Sequence, residues 1–240
     1  MTSYMVLMSA ILGTAFLCSL PAAAAEEAAV EAGPNLPVVG TDGNPVVRES
    51  TEWAQINCPL SADAKTPRVL LIGDSISVNY AGGVREGLKG KYHVDNLGTS
   101  RSVNDPVLQT QIYSFLQEHR YTLIYFNNGL HGGHQTPEQY ASGLRVLTQY
   151  LKDNSHSAKL VFATSTPVSQ KVEGVAQLSE KNKNVMARNE LARALMQELA
   201  IQVDDLYGLM VEHIDLHRDG VHFSAEGNVL LSQHITETIL

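Results

Sequence analysis

The sequence predicts an α/β fold in which a mainly parallel sheet of five strands lies between two layers of helices. Short apolar runs alternate along the chain with longer amphipathic stretches, and this alternation is typical of parallel sheets covered by helices. Clusters of polar residues and glycine directly follow three of the apolar runs. Ligands bind beyond the carboxyl ends of parallel strands, so these clusters indicate a binding site at one edge of the sheet.

Most of the predicted strands are short apolar runs with β-branched or aromatic residues, and they end at turn signals. The pattern that follows each run has the spacing of a helix rather than of a second strand. In chain order the predicted strands are Val69–Ile72, Tyr92–Asn96, Thr122–Phe126, Lys159–Ala163 and Ile201–Val203.

Two of the predicted helices begin at recognisable start signals. Asp105 precedes Pro106 and so combines an N-cap with proline at the first helical position. Thr136 is followed three residues later by Gln139, which is the capping-box spacing. The helices are expected at about 78–88, 106–119, 137–151, 184–200 and from 224 onward, with a long loop between 165 and 181.

The chain divides into three predicted segments. Residues 1–25 hold an apolar core, carry no charged residue and end in Ala23-Ala24-Ala25, which predicts a secretory signal peptide with an A-x-A cleavage site. The core is shorter than the roughly 20 residues that span a bilayer. No Lys or Arg precedes it, so a retained N-terminal anchor stays open. Residues 26–67, with many prolines and glycines, form a linker and lead-in, and residues 68–240 form the main domain.

Charge and cysteine content exclude several classes of protein. The 25 acidic residues outnumber the 17 basic ones and give a net charge of −8. Such an acidic surface disfavours nucleic acid and anionic membranes as partners. Signal cleavage would remove Cys18 and leave only Cys58, so a disulfide scaffold is excluded. We expect Cys58 to be a buried small residue and not a nucleophile.

The first polar cluster, Gly73-Asp74-Ser75, joins an apolar strand to a helical pattern. A serine in this position lies at the carboxyl end of the strand and at the N-terminus of the next helix. There it is exposed and close to free backbone N–H donors, as a nucleophile needs to be. Gly, Asp and Ser are also ordinary turn residues, so a simple turn is the alternative.

The C-terminal part of the chain offers a base for this serine. A serine nucleophile needs a base that takes its proton, and that base needs a carboxylate to orient it. Asp219 and His222 are three residues apart in a loop that contains Gly220, so the carboxylate can reach one ring nitrogen while the other faces Ser75. A surface or helix-capping role is the alternative for His222, since the chain contains nine histidines.

An acyl-transfer site also needs donors for an oxyanion. The candidates are the backbone N–H of Ser75 or Ile76, the N–H of Gly98, and the side chain of Asn127 or Asn128. Glycine lets a backbone approach a ligand closely. Tight turns explain the same glycine and asparagines equally well.

Together these groups of residues resemble the SGNH (GDSL-type) hydrolases, and among them the carbohydrate acetylesterase-like members. The resemblance spans about residues 68–240. It implies a three-layer, flavodoxin-like α/β/α sandwich in which Ser75 is the nucleophile, His222 the base and Asp219 its partner. It also implies an oxyanion hole of the Ser75 amide, the Gly98 amide and an asparagine side chain, and ester chemistry without a metal or other cofactor.

The third motif departs from the Gly-x-Asn-Asp that is usual in the family. It reads Asn127-Asn128-Gly129-Leu130-His131 after Phe126. A Phe-Asn-x-Gly-Leu-His form looks like a family variant in which the first asparagine fills the hole, so Asn127 is preferred and Asn128 is the alternative. The chain has no Gly-x-Ser-x-Gly elbow at the serine, which disfavours an ordinary α/β-hydrolase.

Three other side chains attract attention. His131 is expected to face the substrate. Arg101 could meet an anionic or carbohydrate group, with a solvated surface position as the alternative. His131 and His134 are too few ligands for a zinc site, so no metal is expected.

From these residues we expect a secreted or periplasmic serine esterase that acts on short-chain, above all acetyl, esters of a small molecule or a glycan. No nucleic acid and no stable membrane partner are expected. Three alternatives stay open: a glycan O-acyltransferase, a lysophospholipase or thioesterase, and a non-catalytic glycan-binding module of the same fold.

Overall fold

A computed structural model describes residues 38–59, 63 and 65–240, so the predicted signal peptide lies outside the described residues. The strands are β1 (Val38–Val39), β2 (Pro45–Val46), β3 (Ala54–Asn57), β4 (Arg68–Gly73), β5 (His93–Thr99), β6 (Leu123–Phe126), β7 (Lys159–Ala163), β8 (Ser169–Val172), β9 (Val175–Leu178) and β10 (Gln202–Asp204). The helices are α1 (Ser75–Gly87), α2 (Pro106–Glu118), α3 (Pro137–Asn154), α4 (Asn182–Glu198), α5 (Leu206–Val211) and α6 (Ala225–Ile239), with a 3₁₀ turn at Ile214–Leu216.

The main sheet contains six strands in the order β10-β7-β6-β4-β5-β3. The first five of these are mutually parallel and correspond to the five predicted strands. Strand β3 pairs antiparallel with β5 at the edge. The predicted α/β fold with a mainly parallel sheet is therefore confirmed, and β3 adds one strand that the sequence did not reveal.

Two apolar cores fill the spaces between the sheet and its helices. Successive side chains of a strand point to opposite faces, so Leu70 and Ile72 of β4 enter the core shared with α2, α3 and α4. Val69 and Leu71 enter the opposite core, shared with α1, α5 and α6. Because β4 is buried on both faces at the centre of the sheet, the turn that follows it has a fixed position.

The predicted helix starts have the expected caps. The Asp105 carboxylate accepts a hydrogen bond from the Val107 amide at 2.9 Å, with Pro106 at the first helical position. Thr136 and Gln139 form the reciprocal capping box. These caps satisfy N–H groups that have no acceptor within their own helix.

The expected loop between 165 and 181 contains a β-hairpin. Strands β8 and β9 pair antiparallel and are joined by Glu173 and Gly174 alone, which have φ angles of 50° and 85°. Two consecutive positive φ values are the signature of the tight turn that suits the twist of a hairpin. A smaller hairpin, β1–β2, precedes the sheet. Over the ranges 38–59, 63 and 65–240, no helix is both long and apolar enough to cross a membrane.

Candidate active site

Ser75 is the first residue of α1 and follows the buried strand β4 after a single intervening residue, Asp74. Asp74 caps the helix, because its carboxylate accepts a hydrogen bond from the Ile76 amide at 2.9 Å. The turn also needs Gly73, since a Cβ there would lie 2.7 Å from the Cβ of Ser77. This local sequence therefore fixes Ser75 at the carboxyl edge of the sheet.

The structure brings Ser75, His222 and Asp219 together in one hydrogen-bonded chain. The Oγ of Ser75 lies 2.8 Å from His222 Nε2. The other ring nitrogen of His222, Nδ1, lies 2.8 Å from Asp219 Oδ2. Both distances are those of good hydrogen bonds, and the arrangement has the order that serine acyl transfer requires: nucleophile, base and orienting carboxylate.

Asp219 is held as a carboxylate by its own loop. Burial acts to raise its pKa, but hydrogen bonds from the His222 amide, the His222 ring and the Val221 amide outweigh burial and lower the pKa to about 2. The amide bonds to Oδ1 measure 2.8 Å from His222 and 3.1 Å from Val221. Asp219 is therefore charged at neutral pH, as a group that stabilises an imidazolium must be.

A cleft of about 920 Å³ extends from Ser75 and His222. Its apolar wall includes Leu130, Val168 and Val221, and its polar wall includes His131 and Asn184. The volume is in the range of pockets that hold a whole small molecule. The cleft can accommodate a bulky ester next to the serine.

The amide of Ser75, a predicted oxyanion donor, lies at the N-terminus of α1. It is the first N–H of α1, and the first N–H groups of a helix have no intrahelical acceptor. The next amide, that of Ile76, is already bonded to Asp74. The N-terminal end of the helix also favours negative charge through the helix dipole.

Gly98 does not supply the second donor that was expected. It lies within β5, opposite Gln55 of β3. The Ser100 amide donates to the Trp53 carbonyl, and hydrogen-bonded pairs recur every second residue in an antiparallel ladder. The Gly98 amide therefore faces Gln55 and not Ser75. Glycine is needed there for another reason, because a Cβ would lie 2.2 Å from Val78 Cγ2 of α1.

The two asparagines of the third motif hold neighbouring loops in this structure. Asn127 Nδ2 donates to the Ala163 carbonyl at 2.7 Å and to Ser165 Oγ at 3.3 Å. Asn128 Nδ2 donates to the Arg101 carbonyl at 2.9 Å. Neither is part of the cleft wall. Asn127 could serve an oxyanion by giving up its longer bond, so its role and that of the alternative Asn128 remain predictions.

His131 lies in the cleft wall, as expected of a substrate-facing residue. Its Nδ1 lies 2.7 Å from Glu49 Oε1, and its ring meets the edge of Trp53 at 6.1 Å between centroids. Glu49 also lines the cleft. The segment before the sheet, predicted only as a lead-in, thus supplies part of the site.

Arg101 is not in the cleft wall, contrary to its expected contact with substrate. Its guanidinium lies 3.2 Å from Asp105 and 3.9 Å from Glu52. Asp105 is also bonded to Arg48 at 2.9 Å. Burial alone would raise the pKa of Asp105, but the bonds from Arg48 and the Val107 amide lower it. Arg101 therefore belongs to a network of ion pairs that joins the lead-in to the start of α2.

Arg188 of α4 is a site residue that the sequence analysis missed. Its side chain is almost fully buried and donates to the carbonyls of Gly129, His131, Gly132 and Gln135 at 2.6–3.0 Å. Through these bonds it fixes the loop 129–135, which forms one side of the cleft. A lone arginine in an amphipathic helix carries no sequence signal for such a role.

In the part of the chain that the structure describes, no three His, Cys, Asp or Glu side chains form a group that could hold a metal ion. His134 is engaged elsewhere, because its Nε2 accepts a hydrogen bond from the Val47 amide at 3.3 Å.

Comparisons with known proteins give one curated relative. No protein-family model matches the sequence. The GDSL esterase/lipase WDL1 of Oryza sativa subsp. japonica is 23% identical over 114 residues, which make up 43% of this chain and 44% of that protein. The match thus spans less than half the length of the relative.

Solved esterases share the fold over most of this chain. The carbohydrate acetylesterase Est24 of Sinorhizobium meliloti has a TM-score of 0.57 and 18% identity, over 72% of this chain and 98% of that one. The aryl esterase of M. smegmatis has a TM-score of 0.57 and 17% identity, over 72% and 98%. The lipase/acylhydrolase of Enterococcus faecalis has a TM-score of 0.59 and 16% identity, over 72% and 95%. The resemblance to the SGNH hydrolases that the short motifs carry is thereby confirmed in the fold, which this chain has in common with solved esterases and acylhydrolases.

Proposed function

We propose that this chain is a serine esterase in which Ser75 is the nucleophile, His222 the general base and Asp219 the orienting carboxylate. One observation carries the proposal: two hydrogen bonds of 2.8 Å link the three side chains in that order. They lie at the carboxyl edge of a parallel sheet, beside a cleft large enough for an ester.

In the first step Ser75 Oγ attacks the ester carbonyl carbon while its proton passes to His222 Nε2. Asp219 stabilises the resulting imidazolium through Nδ1. The carbonyl oxygen takes up the displaced electron pair and becomes an oxyanion next to the Ser75 amide, with the Asn127 side chain as the second donor. The C–O bond then breaks, the alcohol leaves with the proton from His222, and the acyl group stays on Ser75. Water, deprotonated by His222, then attacks the acyl carbon. The bond from that carbon to Ser75 Oγ breaks, Oγ takes the proton back from His222, and the acid is released.

The substrate that we propose is a short-chain acyl ester, above all an acetyl ester, of a polar alcohol such as a carbohydrate. The cleft is far larger than an acetyl group, so most of it is available to the alcohol part of the ester. His131, Glu49 and Asn184 provide hydrogen-bonding groups on its wall. A structural neighbour described as a carbohydrate acetylesterase supports the same choice. The signal-like segment 1–25 supports export of the protein.

Hydrolysis of p-nitrophenyl esters from acetate to palmitate tests the proposal. We expect turnover of acetate and butyrate, and a loss of at least about 10⁴-fold in kcat in Ser75→Ala. Ser77→Ala is the matched control, because the Ser77 hydroxyl donates to the Asp74 carbonyl and does not contact His222. Undiminished turnover in folded Ser75→Ala would refute the mechanism, and a preference for long chains would refute the proposed substrate class.

A further inference from the structure

The loop that carries Asp219 and His222 is closed by hydrogen bonds between the two ends of its own backbone. We call residues 217–223 the acid–base loop. His217 and Phe223 pair as an antiparallel bridge across its mouth, and the Arg218 amide donates to the His222 carbonyl at 2.7 Å. Asp219 and Gly220 form its tip. These bonds fix the shape of the loop, but its placement relative to Ser75 needs support from another part of the chain.

Ser169, the first residue of β8, supplies that support. Its amide donates to the Gly220 carbonyl at 2.8 Å. Its hydroxyl lies 2.8 Å from His217 Nδ1. Its carbonyl packs against Gly220, where a Cβ would approach that oxygen to 2.5 Å and where φ is +89°. Ser169 thus contacts the acid–base loop at two places: at its first residue, His217, and at its tip, Gly220.

His217 is itself held in a fixed orientation. Its ring stacks on the Phe223 ring, with 4.2 Å between centroids and 23° between planes. Burial lowers its pKa, and the nearby carbonyls of Ile214 and Pro167 only partly oppose this. Ser169 and His217 are both more than nine-tenths buried. A buried polar pair of this kind is costly to form unless its bond is made well, so it favours one geometry of the loop.

Ser169 connects the start of the hairpin β8–β9, which borders the cleft, to the acid–base loop. Val168, the residue before Ser169, lines the cleft. Its amide donates to Asn182 Oδ1 at 3.0 Å, which ties the start of the hairpin to α4. Ser169 itself binds the acid–base loop, which carries His222. A shift at Ser169 would consequently be transmitted to the imidazole that faces Ser75.

We propose that Ser169 and His217 are positioning residues, which place His222 at hydrogen-bonding distance from Ser75 through their mutual hydrogen bond. The inference rests on the proposed function, because it assigns the pair to the acyl-transfer step. It differs from a purely structural role in one respect. Loss of the bond should slow the chemical step without weakening substrate binding, since neither Ser169 nor His217 lines the cleft.

The test is a double-mutant cycle on p-nitrophenyl acetate. Ser169→Ala removes the hydroxyl, and His217→Phe removes the ring nitrogens but keeps a ring against Phe223. We expect each variant to lose about 10–100-fold in kcat, with KM within twofold of the wild-type value. The double variant should be no worse than the poorer single one, because both changes remove the same bond. Ser169→Thr, which keeps the hydroxyl, should recover most of kcat.

Ser179→Ala is the matched control, because this buried hydroxyl at the end of the same hairpin has no hydrogen-bond partner among the described residues. It should leave kcat unchanged. Independent losses that multiply in the double variant, or a rise in KM at constant kcat, would overturn the positioning role.

A second readout separates this inference from the proposed function. Nuclear magnetic resonance of the proton shared by His222 Nδ1 and Asp219, assigned with His222→Gln, reports the loop directly. A shift or loss of that resonance in Ser169→Ala supports the positioning role even if no ester is hydrolysed. An unchanged resonance refutes it even if the wild type is an esterase. Absence of turnover in the wild type refutes only the proposed function.

Discussion

The guanidinium of Arg188 lies over the ring of Tyr140, with 5.2 Å between its central carbon and the ring centroid. Tyr140 in turn donates from its hydroxyl to the carbonyl of Asn128. Burial lowers the pKa of Arg188, and no carboxylate pairs with it among the described residues. A buried cation that binds four carbonyl oxygens and stacks on a ring thus connects α4 and α3 to the loop that follows β6.

We expect Arg188→Met to lower the free energy of unfolding by about 2–4 kcal/mol, because it leaves the four carbonyls of the loop 129–135 without their donor. Urea denaturation measures this change. Arg145→Met is the control, since Arg145 pairs with Glu198 at the surface and both side chains are about half exposed. That variant should lose no more than about 1 kcal/mol. Equal losses in the two variants would show that Arg188 does not fix the loop.

The stability that Asp219 contributes should depend on pH in the acid range. Its pKa is lowered from 3.8 to about 2 in the folded protein, so the contribution is present above the unfolded value of 3.8 and is lost as pH falls toward 2. The difference in unfolding free energy between wild type and Asp219→Asn should therefore shrink as the pH falls from about 4 to about 2. A difference that stays constant down to pH 2 would contradict the lowered pKa.

Gly98→Ala should disturb α1 without touching any group of the proposed chemistry. Its Cβ would lie 2.2 Å from Val78 Cγ2, in the first turn after Ser75. We expect a loss of about 1–3 kcal/mol in stability from this overpacking, together with reduced esterase activity.

Gly82→Ala in α1 is the control, because a Cβ there meets nothing within 4 Å. It should raise the free energy of unfolding by up to about 1 kcal/mol, since alanine has a higher helix propensity than glycine. A neutral Gly98→Ala would show that α1 can move away from β5 at little cost.

The Cys58 thiol should react slowly with iodoacetamide at neutral pH. Burial raises its pKa to about 11, and the charge of Asp95 acts in the same direction. Alkylation followed by peptide mass spectrometry should show little modification of Cys58 at pH 7 and a steep rise above pH 10. The same thiol in urea-unfolded protein should react readily by pH 9, which serves as the control. Rapid alkylation of the folded protein at pH 7 would contradict the prediction that Cys58 is inert.

The grouping of Ser75, His222 and Asp219 could be predicted from the sequence, because these residues lie in short motifs whose local structure is determined by neighbouring residues. Gly73-Asp74-Ser75 specifies a turn after a strand, and Asp219 to His222 specifies a loop closed by its own amides. The positions of the five parallel strands along the chain could be predicted from local sequence patterns in the same way.

The rest could not be predicted, because it depends on contacts between distant residues of common types. All four residues of β3 are exposed, so no alternation of apolar and polar residues marked the strand, and the Gly98 amide was assigned to the wrong partner. Strands β8 and β9 are also mostly exposed. Ser169 and His217 are 48 residues apart, and neither has a motif around it.

The antiparallel edge strand has a consequence for where the domain begins. A shortened chain that starts at residue 68 would lose β3. The Gly98 amide and the other backbone groups of β5 that face β3 would then lack hydrogen-bond partners. The shortened chain would also lose Glu49 from the cleft wall and the tryptophan against His131. Such a truncated sheet presents an open edge that favours self-association. We therefore expect the smallest autonomous folding unit to include Glu49, Trp53 and β3, all of which precede the first parallel strand.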